Sequence, residues 1–263
     1  METKSPGLRI CLSGATGHVG QELLHAILAA PDLRLASAVG RRGAGRQAGG
    51  VTMDATLAAA LTRGPADVVI DYTHPDVVKA HVREAVAAGC HVVIGTSGLS
   101  DADYAEIDTW AAAKGVGVFA AGNFSVTAAL LQHFATLAAR QMPHWEILDY
   151  AGDTKPDAPS GTARELAYQL AQVTKPTWAV PVAQTKGLKE ARGAELNGSQ
   201  MHSIRVPGYY SAVQAVFGAA GERVELRHES TSYSPYVTGT LLAARKVKGW
   251  KGLQRGMSTL LGL

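Results

Sequence analysis

Three groups of residues in this chain have the types and spacing to do chemistry. The run Ser13-Gly14-Ala15-Thr16-Gly17-His18-Val19-Gly20 sets three glycines at intervals of three. The first permits a tight turn, the second lets backbone N–H groups approach a pyrophosphate, and the third lets a helix pack closely on a strand. A helix starting there adds partial positive charge for the phosphates. Gly40-Arg41-Arg42 places two guanidinium groups where a site for NAD carries a carboxylate for the ribose hydroxyls. A 2′-phosphate calls for bidentate cationic donors, which arginine supplies. This turn reads either as a solvated basic loop or as a phosphate clamp making NADPH the preferred cofactor and NADH the second one. Pro159 followed by Ser160-Gly161-Thr162 offers N–H groups and hydroxyls at a helix start, suited to a carboxylate or phosphate. The plainer reading there is a well-capped surface helix, with Thr162 and Glu165 spaced as a capping box.

The elements that must position these groups follow from the apolar pattern. Leu8–Leu12 reads as a strand, the residues from Leu23 to Leu28 as a helix stopped by Pro31-Asp32, and Leu33–Val39 as a second strand. Strand, glycine turn, helix and strand in this order form a dinucleotide-binding βαβ unit. The rhythm continues through Asp67–Tyr72, a helix opened by Pro75, His91–Ile94, a helix starting at Ser100-Asp101, and Gly115–Ala120. Such alternation predicts a parallel sheet, whose ligands bind at the carboxyl ends of strands. Tyr72-Thr73-His74, Gly95-Thr96-Ser97 and Gly122-Asn123-Phe124 all fall there and join the cofactor-binding candidates. A long apolar helix is expected from Val126 to Ala139 and a strand from Trp145 to Tyr150. Residues 174–200 read as a long loop. Strands at Met201–Val206, Ala212–Phe217 and Arg223–His228 are expected to be antiparallel.

Composition limits the remaining classes. The chain has 263 residues, 46% apolar and 18% charged, in the range of a folded globular protein with one large domain or two modest ones. A balance of 25 Lys and Arg against 22 Asp and Glu gives no basic surplus that would argue for nucleic acid. No apolar run approaches the roughly 18 residues of a membrane span, and Met1–Gly7 has no apolar signal core. Two cysteines cannot build a disulfide framework, so a cytoplasmic location is expected. His81 and Glu84 share a helix face without a further ligand nearby, so no metal site is expected. Hydrolase and NTPase motifs are absent from the sequence.

GATGHVG (Gly14–Gly20), DYTHP (Asp71–Pro75), VIGTSGL (Val93–Leu99), GNFSV (Gly122–Val126), KPDAPSGTA (Lys155–Ala163) and GERVELRHES (Gly221–Ser230) occur in that order. Together they resemble the dihydrodipicolinate reductase family over nearly the whole chain. The resemblance implies an α/β fold, with an N-terminal Rossmann-like doubly wound parallel sheet and a C-terminal α+β mixed-sheet substrate domain. It further implies a dinucleotide-binding domain over residues 1–124, with the C-terminal helical segment 237–263 packing back on it. Residues 125–236 would bind substrate and form the contacts of a homotetramer. The implied activity is NAD(P)H-dependent reduction of a small carboxylated cyclic imine or unsaturated acid in lysine and diaminopimelate synthesis.

By the same resemblance Lys155 is the acid that neutralises the charge left by hydride arrival, and Lys155, Ser160, Gly161 and Thr162 hold the substrate carboxylate. The chain also departs from the family. Where the family carries a pair of histidines upstream of the lysine, this sequence has Ala151 and Gly152. Tyr150 and Asp153 are the catalytic candidates left in that segment, beside Thr154, Tyr209 and Tyr210. Two alternatives follow: a paralogous oxidoreductase acting on another keto or imino substrate, or a catalytically silent nucleotide-binding sensor.

Overall fold

The structure, a computed structural model, describes residues 7–263; the stretch before Gly7 that was read for a signal core lies outside them. Residues through Ser125 and Tyr233–Leu263 form one compact unit, and Val126–Ser232 form another. The first unit begins with β1 (Leu8–Ser13), α1 (His18–Ala29) and β2 (Leu33–Val39). A small hairpin follows, β3 (Gln47–Ala48) and β4 (Val51–Thr52), and then α2 (Leu57–Arg63). The alternation resumes with β5 (Val68–Asp71), α3 (Pro75–Ala87), β6 (His91–Ile94), α4 (Asp101–Lys114) and β7 (Gly117–Ala120). Local signals set the helix ends. Pro75 occupies the first turn of α3, and Ser100 with Asp103 closes a reciprocal capping box on α4. Helix α4 stops at Gly115, whose φ of 68° suits a glycine.

The second unit contains α5 (Val126–Ala139), β8 (Trp145–Ala151), α6 (Gly161–Val173), β9 (Ala194–Leu196), β10 (Ser199–Arg205), β11 (Ser211–Ala219) and β12 (Glu222–Ser230). Its five strands run in the order β12-β11-β8-β10-β9. The expectation of antiparallel strands holds for β11 and β12 but not for β10, which lies parallel to β8. The long connection through α6 makes the difference: a crossover helix returns the chain in the same direction. One face of this sheet is covered. Leu131 and Ala135 of α5 and Leu166 and Leu170 of α6 pack on Trp145, Ile147, Val213, Ala215 and Phe217.

The chain then returns to the first unit as α7 (Pro235–Lys246), β13 (Gly252–Arg255) and α8 (Met257–Leu261). Strand β13 completes a six-stranded sheet in the order β13-β7-β6-β5-β1-β2, parallel throughout. Strands buried on both faces need near-continuous apolar runs, and β5 and β7 are fully buried. Phe119 on β7 meets Phe124 edge-on at 5.7 Å and Trp250 at the same centroid distance. Arg245 of α7 forms a bidentate pair with Asp32, which precedes β2. Truncating Phe119 to alanine removes a ring shared by two aromatic contacts and should cost about 3–5 kcal/mol. Guanidinium unfolding of the variant measures this; a loss under about 1 kcal/mol would contradict the packing described.

Candidate active site

The glycine turn leaves β1 and is tied to the end of β2, where the Gly14 and Ala15 N–H groups both donate to the Val39 carbonyl at 3.0 Å. Gly14 has φ of +91°, and a Cβ there would collide with the Tyr72 carbonyl at the end of β5. A Cβ on Gly20 would run into the Gly14 carbonyl, so α1 starts against the turn itself. Gly17 caps α1 without a side chain, and the first turn holds no acidic residue. By contrast Thr56, His74, Ser100 and Ser160 cap α2, α3, α4 and α6 with side-chain acceptors. The donors at the start of α1 are therefore left for an anion, the chemistry a dinucleotide pyrophosphate presents. Ala15 is buried, Val19 half-buried, and Thr16 exposed. The exposed His18 ring stacks on Tyr233 at 5.1 Å.

Arg41 and Arg42 lie in a single 3₁₀ turn, Arg41–Gly43, directly after β2. A Cβ on Gly40 or Gly43 would come within 2.8 and 2.7 Å of the Thr16 methyl, so the arginine turn is seated against the glycine turn. Both arginines are exposed, and neither forms an ion pair among the described residues. Behind them the Gly40 N–H donates to the Asp54 carbonyl, and Asp54 pairs with Arg63 at 2.8 Å.

The strand-end loops are organised by Asp71, which is 0% exposed. Its Oδ1 accepts from the Thr73 and Thr96 hydroxyls, each at 2.7 Å, and from the Thr73 N–H at 3.2 Å. Its Oδ2 accepts from His81 Nδ1 at 2.8 Å. Asp71 and His81 were missed as a pair in the sequence. The available signal was an acid ending one buried strand and a histidine on the inward side of the next helix, ten residues later. Gly95 packs under the Tyr72 ring, where a Cβ would overlap it. Ser97 and Gly122 are exposed, and Asn123 Oδ1 accepts from the Ser125 N–H at 2.8 Å.

Three expected cofactor side chains have other duties. The Tyr72 hydroxyl donates to Thr240 Oγ1 on α7 at 2.7 Å, and burial pushes its phenol pKa up. Phe124 is 2% exposed and packs between Phe119 and Tyr72, so its ring belongs to the core. His74 caps α3, accepting from the Asp76 N–H at 3.4 Å.

In the second unit a buried ion pair fixes the polar loop. Asp149 is 0% exposed; its Oδ2 accepts from Arg205 at 2.7 Å and from the Ser160 N–H at 2.8 Å. Arg205 also donates to the Asp157 carbonyl at 2.8 Å. Both ends of the segment 157–160 are thereby held. Lys155 and Asp157, each a little over a third exposed, form a 2.7 Å ion pair, and this contact holds the Asp157 carboxyl below its ordinary range. The capping box expected at Thr162 is displaced: Ser160 caps α6, accepting from the Ala163 N–H at 3.3 Å. Proline precedes Ser160, so the helical turn begins two residues earlier than the Thr–Glu spacing implied. Gly161 is exposed, with nothing within 4 Å of where a Cβ would stand.

Alternation along β8 sends Asp149 to the helix-covered face and Tyr150 to the other. There the Tyr150 hydroxyl donates to Gln214 at 3.0 Å, and its ring lies under the Arg227 guanidinium at 4.6 Å. Asp153 is exposed on the turn after β8. Ala151 is fully buried, and a Cβ on Gly152 would come to 3.2 Å from the Tyr209 carbonyl. Among the described residues no cluster of metal-ligating side chains occurs.

A parallel six-stranded sheet with an uncapped glycine turn, joined in one chain to a mixed-sheet unit, defines the class of dinucleotide-dependent oxidoreductases. Family models described as dihydrodipicolinate reductase, N-terminus and C-terminus, match residues 8–124 and 126–261. The chain belongs to the dihydrodipicolinate reductase family. It is 38% identical over 257 residues to the 4-hydroxy-tetrahydrodipicolinate reductase of Mycolicibacterium smegmatis, covering 97% of this chain and 100% of that one. The enzyme of the same name from Desulfitobacterium hafniense is 35% identical, with 97% and 98% covered. A dipicolinate-bound dihydrodipicolinate reductase from Paenisporosarcina sp. TG-14 superimposes with a TM-score of 0.85 at 29% identity, covering 96% and 99%.

The Asp71 hydrogen bond raises the His81 pKa above its ordinary value, against the opposing effect of burial. A histidine whose pKa is raised on folding stabilises the protein fully below the unfolded value of about 6.5. That contribution is lost as the pH rises through the folded pKa. Replacing His81 by glutamine should therefore cost about 2 kcal/mol near pH 5.5, with a smaller loss at each higher pH. Urea denaturation across pH checks this; a loss that grows with pH would contradict it.

Proposed function

We propose that this chain reduces a small carboxylated cyclic imine with NADPH, the reaction of 4-hydroxy-tetrahydrodipicolinate reductase in lysine and diaminopimelate synthesis. The observation that carries the proposal is the loop from Lys155 to Thr162, pinned at Asp157 and Ser160 by the buried Asp149–Arg205 pair. It brings an ammonium and the N-terminus of α6 into one short segment. An ammonium beside a helix N-terminus suits a substrate that carries a carboxylate and develops negative charge as hydride arrives.

A nicotinamide held by the first unit would supply a hydride to the electrophilic carbon of the substrate. As the C–H bond forms, the π pair of the reduced double bond moves on to nitrogen, or through a conjugated system to carbon, and the atom that receives it must take a proton. Lys155 Nζ donates that proton, and its partial exposure lets it regain one from water. Asp157, 2.7 Å away, orients the Lys155 ammonium. Ser160, Gly161 and Thr162 receive the substrate carboxylate. Gly14 to Gly20 receive the pyrophosphate, and the loops at Thr73, His74, Thr96, Ser97, Gly122 and Asn123 line the rest of the dinucleotide site. Arg41 and Arg42 take the 2′-phosphate, with NADH as the weaker cofactor. The second unit's sheet carries Glu146, Leu148, Tyr150 and Gln214 on the face opposite α5 and α6. We assign that face to the subunit contacts of a homotetramer working in the cytoplasm.

A second reading is favoured by one observation. The positions of the family's histidine pair are filled by a fully buried alanine and by a glycine pressed against the Tyr209 backbone. A side chain at residue 152 needs that turn to shift. This supports a paralogue that applies the same hydride chemistry to a keto or imino acid not requiring an imidazole.

Fluorescence titration should show tighter binding of NADPH than NADH, and replacing Arg41 and Arg42 together by alanine should erase the difference. Equal affinities in the unaltered protein would overturn the clamp. Lys155→Ala should lower turnover about 10²-fold or more, followed as NADPH absorbance with chemically generated dihydrodipicolinate. Turnover equal to wild type would remove Lys155 from the role. If dihydrodipicolinate is not reduced but another cyclic imine or keto acid from a panel is, the paralogue reading stands.

A further inference from the structure

The Asp71–His81 pair has no part in the chemistry above, yet it touches three segments assigned to the dinucleotide: the start of the glycine turn and the loops after β5 and β6. Asp71 ends β5 and accepts from Thr73 and Thr96, which stand just beyond the ends of β5 and β6. Thr96 Oγ1 in turn accepts from the Thr73 N–H at 2.7 Å, so the two loops are tied together across the sheet. Ser13, the last residue before the glycine turn, has its Oγ 3.4 Å from the same His81 nitrogen that meets Asp71. The Tyr72 carbonyl, one residue from Asp71, is the surface on which Gly14 lies.

A carboxylate taken wholly out of water is costly unless it is paired and fully hydrogen-bonded. Here four donors converge on it, and three of them belong to loops rather than to the sheet's core. An apolar residue at position 71 would continue the buried run of Val68, Val69 and Ile70 without that cost. The carboxylate does what an apolar side chain cannot: it sets the positions of two hydroxyls and one N–H beyond the strand ends. His81 supplies the countercharge, and Glu84 on its own helix is the other charged group acting on it.

We infer that Asp71 and His81 are positioning residues for the dinucleotide, holding the Thr73 and Thr96 loops and the start of the glycine turn in one arrangement. The inference rests on the dinucleotide reading given above. Neither side chain touches the ligand; both act through the threonines and Ser13.

The test compares Asp71→Asn and His81→Gln with the unaltered protein in two binding titrations. NADPH binding is followed by fluorescence, and dipicolinate binding by calorimetry as a measure of the other unit. Each variant should raise the Kd for NADPH about tenfold or more, the effect of unpairing one charged hydrogen bond. The Kd for dipicolinate should stay within about twofold. A folded variant that binds NADPH within twofold of wild type overturns the inference. So does an equal loss for both ligands, which marks general loosening. If Asp71→Asn fails to fold, His81→Gln carries the same criteria, with Thr96→Val beside it. An unaltered protein that binds neither NADPH nor NADH would overturn the dinucleotide reading, and this inference with it. That result is distinct from variants that match a binding-competent wild type.

Discussion

The first unit depends on backbone meeting backbone without side chains between. At Gly14 the chain leaves β1 with a positive φ, lies on the carbonyl of Tyr72, and presents its own carbonyl to Gly20. A single Cβ at any of these contacts would push α1 away from β1 or β1 away from β5. Three consequences follow from that closeness. The start of α1 is aimed over the sheet's carboxyl ends, its N–H groups face outward without a side-chain cap, and Thr16 reaches the arginine turn after β2. The positive potential at the start of α1 is therefore a property of main-chain geometry more than of any charged residue.

The second unit solves a comparable problem with charge. Its polar loop has little regular structure between β8 and α6, and it is held by a buried carboxylate and a part-buried guanidinium on adjacent parallel strands. Such pairs contribute little net stability because desolvation offsets much of their attraction. What they give is direction: Arg205 has a planar fork that satisfies the Asp157 carbonyl and the Asp149 carboxylate together. The lysine and the capped helix start thus inherit fixed positions from residues that do not themselves face a ligand.

Much of this was legible in the residues, because short-range physics governs it. Leu33–Val39 and Val126–Ala139 appear in the structure with the bounds that their apolar patterns indicate. Pro75 and Ser100 begin helices for local steric and hydrogen-bonding reasons. The features that escaped depend on partners distant in sequence. Strand β13 carries only Gly-Leu-Gln-Arg and is a strand because β7 offers an edge. The parallel course of β10 is set by a crossover, not by its own residues. In sequence Asp71 reads as a strand end and His81 as sharing a helix face with Glu84; only folding brings Asp71 and His81 to 2.8 Å. Tyr150, by contrast, could have been separated from Asp149 by the two-residue period of β8 alone.

The return of the chain to its first sheet also orders its synthesis. Strand β7 is made well before the strand that covers its edge, Gly252–Arg255, which follows only after the whole second unit. Until then the nascent sheet presents an unpaired row of amides, and Phe119 lacks its Trp250 neighbour. The second unit, contiguous from Val126 to Ser232, has no such debt and can form as soon as it emerges. The first unit is thus completed only after the second has been made, and a chain cut before Gly252 would leave an open β edge of the kind that recruits other chains.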